Sequence, residues 1–186
     1  MGRVDFVAVS KRLSYVLRHR PDSVALTLDP NGWVAVDDLL AALAAHGRPV
    51  SRAELDAVVA GNDKRRFAVQ AGPDGRDRIR ASQGHSIPVD LGLDAVTPPP
   101  VLFHGTSAAT VPAIRAEGLR KGRRHHVHLS SDRATAHRVG ARRRGGRSQV
   151  SILEIDAATM AADGYPFYRS ANGVWLTDHV PPEYLR

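Results

Sequence analysis

The sequence predicts an α+β protein in two lobes, and three observations carry that expectation. Residues 6–61 hold apolar stripes at helical spacing, and residues 66–82 alternate around a tight turn. A triple proline at 98–100 then breaks the pattern. Beyond it, short alternating strands are separated by short helical segments, with no internal repeat.

Phe6, Val9, Leu13, Val16 and Leu17 form the first helical stripe. Pro21 disfavours helical geometry at Arg20, so this helix should end near Arg18 or His19. "VALTLDPNGWVAV" sets two short apolar stretches around a DPNG turn. Asp37 is the expected cap of a helix through "DLLAALAAHG", which ends on Gly47. Ser51 and Glu54 form a capping box before a helix that closes on Gly61. "RRFAVQAGPDGRDRIRAS" reads as a hairpin turning at GPDG. Helices followed by a two-stranded wing describe a winged-helix lobe over 1–82.

Residues 83–100, rich in Gly and Pro, read as a linker, and 101–186 as the second lobe. There "VLFHGTS" is a strand ending in a turn, and "TVPAIRAEG" a helix with Thr110 as candidate cap and Gly118 as stop. "HVHLS" is a strand, and "SDRATAHRVGARR" a helix capped by Ser131 or Asp132. "SQVSILEID" and "GVWLT" are further strands, and "ARRRGGR" at 141–147 is a compositionally biased loop.

No apolar run is long enough to span a membrane, and the N-terminus lacks the pattern of a secretory signal. A cytoplasmic protein is therefore expected. The absence of cysteine excludes disulfides and thiolate metal sites. Lys plus Arg number 26 against 19 acidic residues, a net charge of +7. Lysine occurs only at positions 11, 64 and 121, so the charge is carried by arginine, whose planar fork grips phosphate oxygens in pairs. Such a balance points to polyanionic partners, nucleic acid first.

Several residues are candidates for chemistry, each with a plainer reading beside it. Arg18 and His19 end a helix, where the dipole favours cations, so a solvated basic end explains them as well as a phosphate site does. Lys64, Arg65 and Arg66 precede a strand, whose alternation sends Arg65 and Arg66 to opposite faces; an ordinary basic strand start also explains them. Alternation places His126 and His128 on one face, with His104 as a possible third metal ligand, but no acidic residue lies near enough in sequence to complete a set, and no metal is expected. Gly105 in "FHGTS" either admits a ligand close to the backbone or simply ends a strand. Neither a Rossmann nor a P-loop fingerprint is present.

"LSYVLRHRP" (13–21), "NDKRRF" (62–67), "IRASQGHSI" (79–87), "FHGTS" (103–107), "RRHHVHLS" (123–130) and "NGVWLT" (172–177) occur in that order. Over almost its whole length the chain resembles the RNA 2′-phosphotransferase family. The resemblance implies that the second lobe is ADP-ribosyltransferase-like, with small mixed or antiparallel sheets. It implies a phosphate-gripping tetrad of Arg18, His19, Arg66 and Arg124. It implies NAD as co-substrate, with His104, Gly105 and Thr106 at the adenosine-side ribose. His128, Leu129 and Ser130 would lie at the nicotinamide riboside, and Val174 would be the aliphatic third member of the signature. The implied reaction has two steps: the RNA 2′-phosphate displaces nicotinamide from NAD, then the ribose O2″ attacks phosphorus. RNA with a free 2′-hydroxyl and ADP-ribose 1″,2″-cyclic phosphate result.

The implied partners are RNA carrying a 2′-phosphate and NAD, with no membrane, for a protein acting as a monomer. Two departures stand out: Gly122 where a bulky apolar residue is usual, and Ser82 where asparagine is more common. Two further readings stay open. One is a transferase that stops after the first step, leaving ADP-ribose on nucleic-acid phosphate ends. The other is a winged-helix DNA-binding regulator with a ligand-sensing lobe, although "SRAELDAVVAG" offers few base-reading side chains.

Overall fold

Asp5 opens the first helix, α1 (Phe6–Arg18): its carboxylate accepts from the Val7 and Ala8 amides at 3.1 and 3.0 Å. The computed structural model describes residues 5–61, 65–141 and 149–186. Asn62, Asp63, Lys64 and, in the basic loop predicted at 141–147, residues 142–147 thus lie outside the described residues. The helix stops where Pro21 requires, and Pro21–Val24 form a 3-10 turn. Its predicted stripe is buried only in part. Leu13, Val16 and Leu17 are in the core and Val9 packs at its edge, but Phe6 is exposed.

The chain divides into two compact units, Met1–Gly92 and Leu93–Arg186, both of mixed α and β structure. In the first, β1 (Val34–Ala35) leads directly into α2 (Val36–Ala45). The predicted cap is displaced: Ala35 occupies that position, and Asp37 and Asp38 sit inside the first turn, where their charge meets the helix dipole. The capping box of α3 (Arg52–Ala60) forms as expected, with the Glu54 amide donating to Ser51 Oγ and the Ser51 amide to Glu54 Oε2. β2 (Phe67–Ala71) and β3 (Asp77–Ala81) make the hairpin, and the antiparallel sheet runs β1-β3-β2. Leu13 and Leu17, Leu39 and Leu43, and Leu55 bring the three helices onto Phe67 and Ile79 of that sheet. Each such side chain contributes about 1.5–3 kcal/mol by leaving water.

The stretch read as a linker is shared between the units. The Ser86 amide donates to the Arg18 carbonyl and the Asp90 amide to the Pro30 carbonyl, both at 2.9 Å, with Val89 buried in the first unit. In the second unit, Ala95 bridges to Tyr168 and the Val96 amide donates to the Phe167 carbonyl.

In the second unit β4 (Val101–Ser107) pairs antiparallel with β7 (Val150–Asp156) along its whole length. The "HGTS" segment is therefore strand, not the turn that ends it. α4 (Val111–Glu117) and β5 (Leu119–Arg120) follow, and β6 (Val127–Leu129) precedes α5 (Arg133–Ala141). Asp132 caps α5 by accepting from the Thr135 amide at 2.7 Å. α6 (Ala157–Ala162), which the periodicity did not predict, begins at an Asp156 cap. β8 (Tyr168–Arg169), β9 (Trp175–Thr177) and β10 (His179–Val180) complete two small antiparallel sheets, β6-β9-β8 and β10-β5. Leu102, Leu129, Leu153, Ile155, Met160 and Phe167 form the core. Among the described residues, no helix is long and apolar enough to cross a membrane.

Candidate active site

Of the three cation-capable residues that end α1, Arg20 turns aside. Its guanidinium pairs with Asp22 at 3.0 Å, and that hydrogen bond holds the Asp22 carboxyl below the usual carboxylate range. Arg18 and His19 instead line a groove of about 730 Å³ together with Arg66, the residue directly before β2. Among the described residues, none of its lining side chains is a carboxylate. His19 Nδ1 meets Ser86 Oγ at 2.9 Å.

Neither Arg65 nor Arg66 lies in the strand, so pleat alternation does not separate them. The backbone does: Arg65 has φ +39°, a left-handed conformation costly for a side chain with a Cβ. Ser82 spans this bend, its hydroxyl donating to the Arg65 carbonyl at 2.7 Å and its amide to the Arg66 carbonyl at 2.9 Å. Ser82 and Ser86 are the supporting residues that residue-by-residue reading did not assign. The signal available was the compact polar run "SQGHS" at 82–86, of which the sequence reading gives Ser82 to the hairpin and 83–86 to the linker.

In the second unit His104, Gly105, Thr106, Arg124 and His128 line a groove of about 300 Å³, joined by Arg120 and Lys121. His104 Nδ1 is 3.0 Å from the His128 carbonyl oxygen, which can only accept, so Nδ1 carries the proton. Arg124 Nη1 is 2.7 Å from His128 Nδ1, and a guanidinium can only donate. A neutral His128 therefore carries its proton on Nε2, the opposite tautomer. Thr106 is buried, and its hydroxyl meets Thr110 Oγ1 at 2.9 Å, which in turn donates to the Ser107 carbonyl at 2.8 Å. The close approach that Gly105 permits is to α5: a Cβ there would stand 1.8 Å from the Ala136 carbonyl oxygen.

Three predicted residues fall elsewhere. Leu129 is in the core, Ser130 exchanges two backbone hydrogen bonds with Phe103, and Val174 lies in a turn just before β9, its amide donating to Ser170 Oγ at 3.1 Å. His126 shares the groove with His128 and stands edge-on to Tyr168. Among the described residues, no group of three or more His, Asp or Glu could hold a metal ion.

Taken by themselves, the two units define a basic α+β protein whose grooves suit phosphate-bearing ligands. A model of the RNA 2′-phosphotransferase, Tpt1 / KptA family matches residues 5–179. The chain is 63% identical over 180 residues to a probable RNA 2′-phosphotransferase of Streptomyces coelicolor, covering 97% of this chain and 94% of the relative. It is 60% identical to the Streptomyces griseus protein of the same name, over 96% and 95% of the two chains. Against the Agrobacterium fabrum protein, also a probable RNA 2′-phosphotransferase, identity is 54% over 96% and 92%. The chain belongs to the RNA 2′-phosphotransferase family, a family of transferases.

Proposed function

We propose that this protein removes an internal 2′-phosphate from RNA, with NAD as second substrate. The observation that carries the reading is the convergence of Arg18, His19 and Arg66 on one groove from distant points of the chain, in a protein of this family. Two guanidinium forks lining one groove form a grip for a phosphoryl group. Arg124, in the second unit, is the fourth member of the proposed tetrad. The winged-helix and ADP-ribosyltransferase-like identities of the two lobes, and a cytoplasmic monomer, belong to the same reading.

The residues of the second groove fit NAD. Arg120 and Lys121 supply charge for a pyrophosphate, Ile114, Val127 and Val139 supply apolar surface, and His104 and His128 offer ring nitrogens of opposite polarity. NAD contributes an electrophilic ribose carbon and a neutral leaving group. Leu129, Ser130 and Val174 would act through the backbone around the groove rather than as its lining.

In the first step a 2′-phosphate oxygen bonds to the nicotinamide-riboside carbon as the glycosidic bond breaks and nicotinamide leaves. The phosphate is already ionised, so holding and aiming it matters more than a strong base. In the second step the ribose O2″ bonds to phosphorus, the bond from phosphorus to the RNA 2′-oxygen breaks, and a proton passes from O2″ to the RNA oxygen. The products are RNA with a free 2′-hydroxyl and ADP-ribose 1″,2″-cyclic phosphate. The arginines offset charge developing at phosphorus, and the His19 imidazole is a group able to carry that proton near neutrality.

Incubation with NAD and a short RNA bearing one internal 2′-phosphate, read by mass spectrometry, tests this. Loss of the phosphate with appearance of the cyclic product is expected. RNA that keeps an ADP-ribose instead identifies a transferase that stops after the first step, and unchanged RNA overturns the reading.

A further inference from the structure

Among the described residues five large hydrophobic side chains are conspicuously exposed, and three of them, Phe6, Val7 and Tyr15, line the same groove as Arg18 and Arg66. All three are on α1. Apolar surface gathered in one place marks an interaction site more than scattered exposure does. Here it is interleaved with cations, because Lys11 lines the groove as well. It is also interleaved with hydroxyls, those of Ser10 and Ser14.

Each feature narrows the occupant. An apolar protein partner would use the hydrophobic side chains but gain nothing from the cations beside them. A nucleic-acid duplex would use the cations but offers no open base face to an aromatic ring. A single strand uses both: its phosphates meet the cations and its bases stack on rings, whatever the base. Tyr15 stands three residues before Arg18, so the two side chains are neighbours on the helix surface. Its ring, 48% exposed, thus lies beside the proposed phosphate grip.

We infer that the groove face of α1 is the track for the single-stranded RNA flanking the 2′-phosphate, with Tyr15 as stacking platform for the neighbouring base and Lys11 as a contact to a backbone phosphate. This rests on the function proposed above, whose own assay is run alongside.

The test is fluorescence anisotropy on the full chain with a labelled single-stranded RNA, the same RNA as duplex, and an abasic strand of equal length and charge. Tyr15→Ala should weaken single-strand binding about tenfold, since stacking on one ring is worth about that factor or more. Tyr15→Trp should restore it, and on the abasic strand Tyr15→Ala and the unaltered protein should coincide. Lys11→Met should lower the salt dependence by about one phosphate. Circular dichroism confirms that each variant is folded. Equal binding of the RNA by Tyr15→Ala, or an equal loss on the abasic strand, overturns the inference. So does a dimer, seen by sedimentation, that Tyr15→Ala dissociates. If the unaltered protein leaves the 2′-phosphate in place yet shows the stacking contrast, the RNA track stands and the proposed reaction falls. If it removes the phosphate and Tyr15 is inert, the track alone falls.

Discussion

The two units prepare their grooves in opposite ways. In the first, Arg18 and Arg66 sit at the end of α1 and just before β2, outside the buried apolar cluster. In the second, His104, Gly105 and Thr106 are inside β4, which is paired along its length with β7 and covered by α5. Thr106 and His104 hydrogen-bond within the protein, and Arg124 is tied to His128. One groove is thus a set of charges mounted on element ends, the other a shape held by the sheet itself. Substitutions should separate them, with activity lost before stability in the first unit and both lost together in the second.

The largest effect expected is from Arg66→Ala. Turnover of the 2′-phosphorylated RNA should fall by on the order of a thousandfold, as for removal of a group that stabilises charge in the transition state. Its melting temperature should stay within about 2 °C of the unaltered protein, as expected away from the core. A large drop in melting temperature would erase the contrast, because Arg66 would then be part of the scaffold. Next comes Gly105→Ala, which forces a methyl group into the Ala136 carbonyl and should cost about 3 kcal/mol or more. Calorimetry should show a melting temperature lower by roughly 6–12 °C. Normal stability with weakened use of NAD would mean that Gly105 answers to a ligand and not to α5. Ser51→Ala removes one half of the α3 capping box and should cost about 1 kcal/mol in chemical denaturation, with turnover unchanged.

The smallest effect is a pH dependence confined to the second unit. The Tyr184 hydroxyl donates to Asp163 at 2.7 Å, and that bond pushes its pKa up to about 12. A raised folded pKa means that the contribution is complete below the unfolded value near 10 and is lost as pH rises through about 12. Tyr184→Phe should flatten this alkaline loss in a denaturation series run from pH 9 to 12. An unchanged slope would place the titrating group elsewhere.

What could be read without coordinates was local. Pro21 acts on the residue beside it, Ser51 and Glu54 bond across three positions, and the GPDG turn lies between two strands that pair directly with one another. The short strands β5, β8 and β10 carry two residues each, too few for any period to show, and α6 lies hidden behind the strongest strand pattern of the chain. The family resemblance selected Arg66 over Arg65, a choice that alternation left open. Arg66 lines the first groove, beside the left-handed bend at Arg65 and the Ser82 bonds across it, which join segments remote in sequence.

By itself, then, the sequence determined where helices stop, where the hairpin turns and which side chains carry charge, since each of these depends on neighbours a few residues away. Only the tertiary structure decided which arginines share a groove, that Arg20 turns to Asp22, and that Gly105 is small to admit α5. Those outcomes depend on distances between segments far apart in the chain, which are set only when the cores of the two units close.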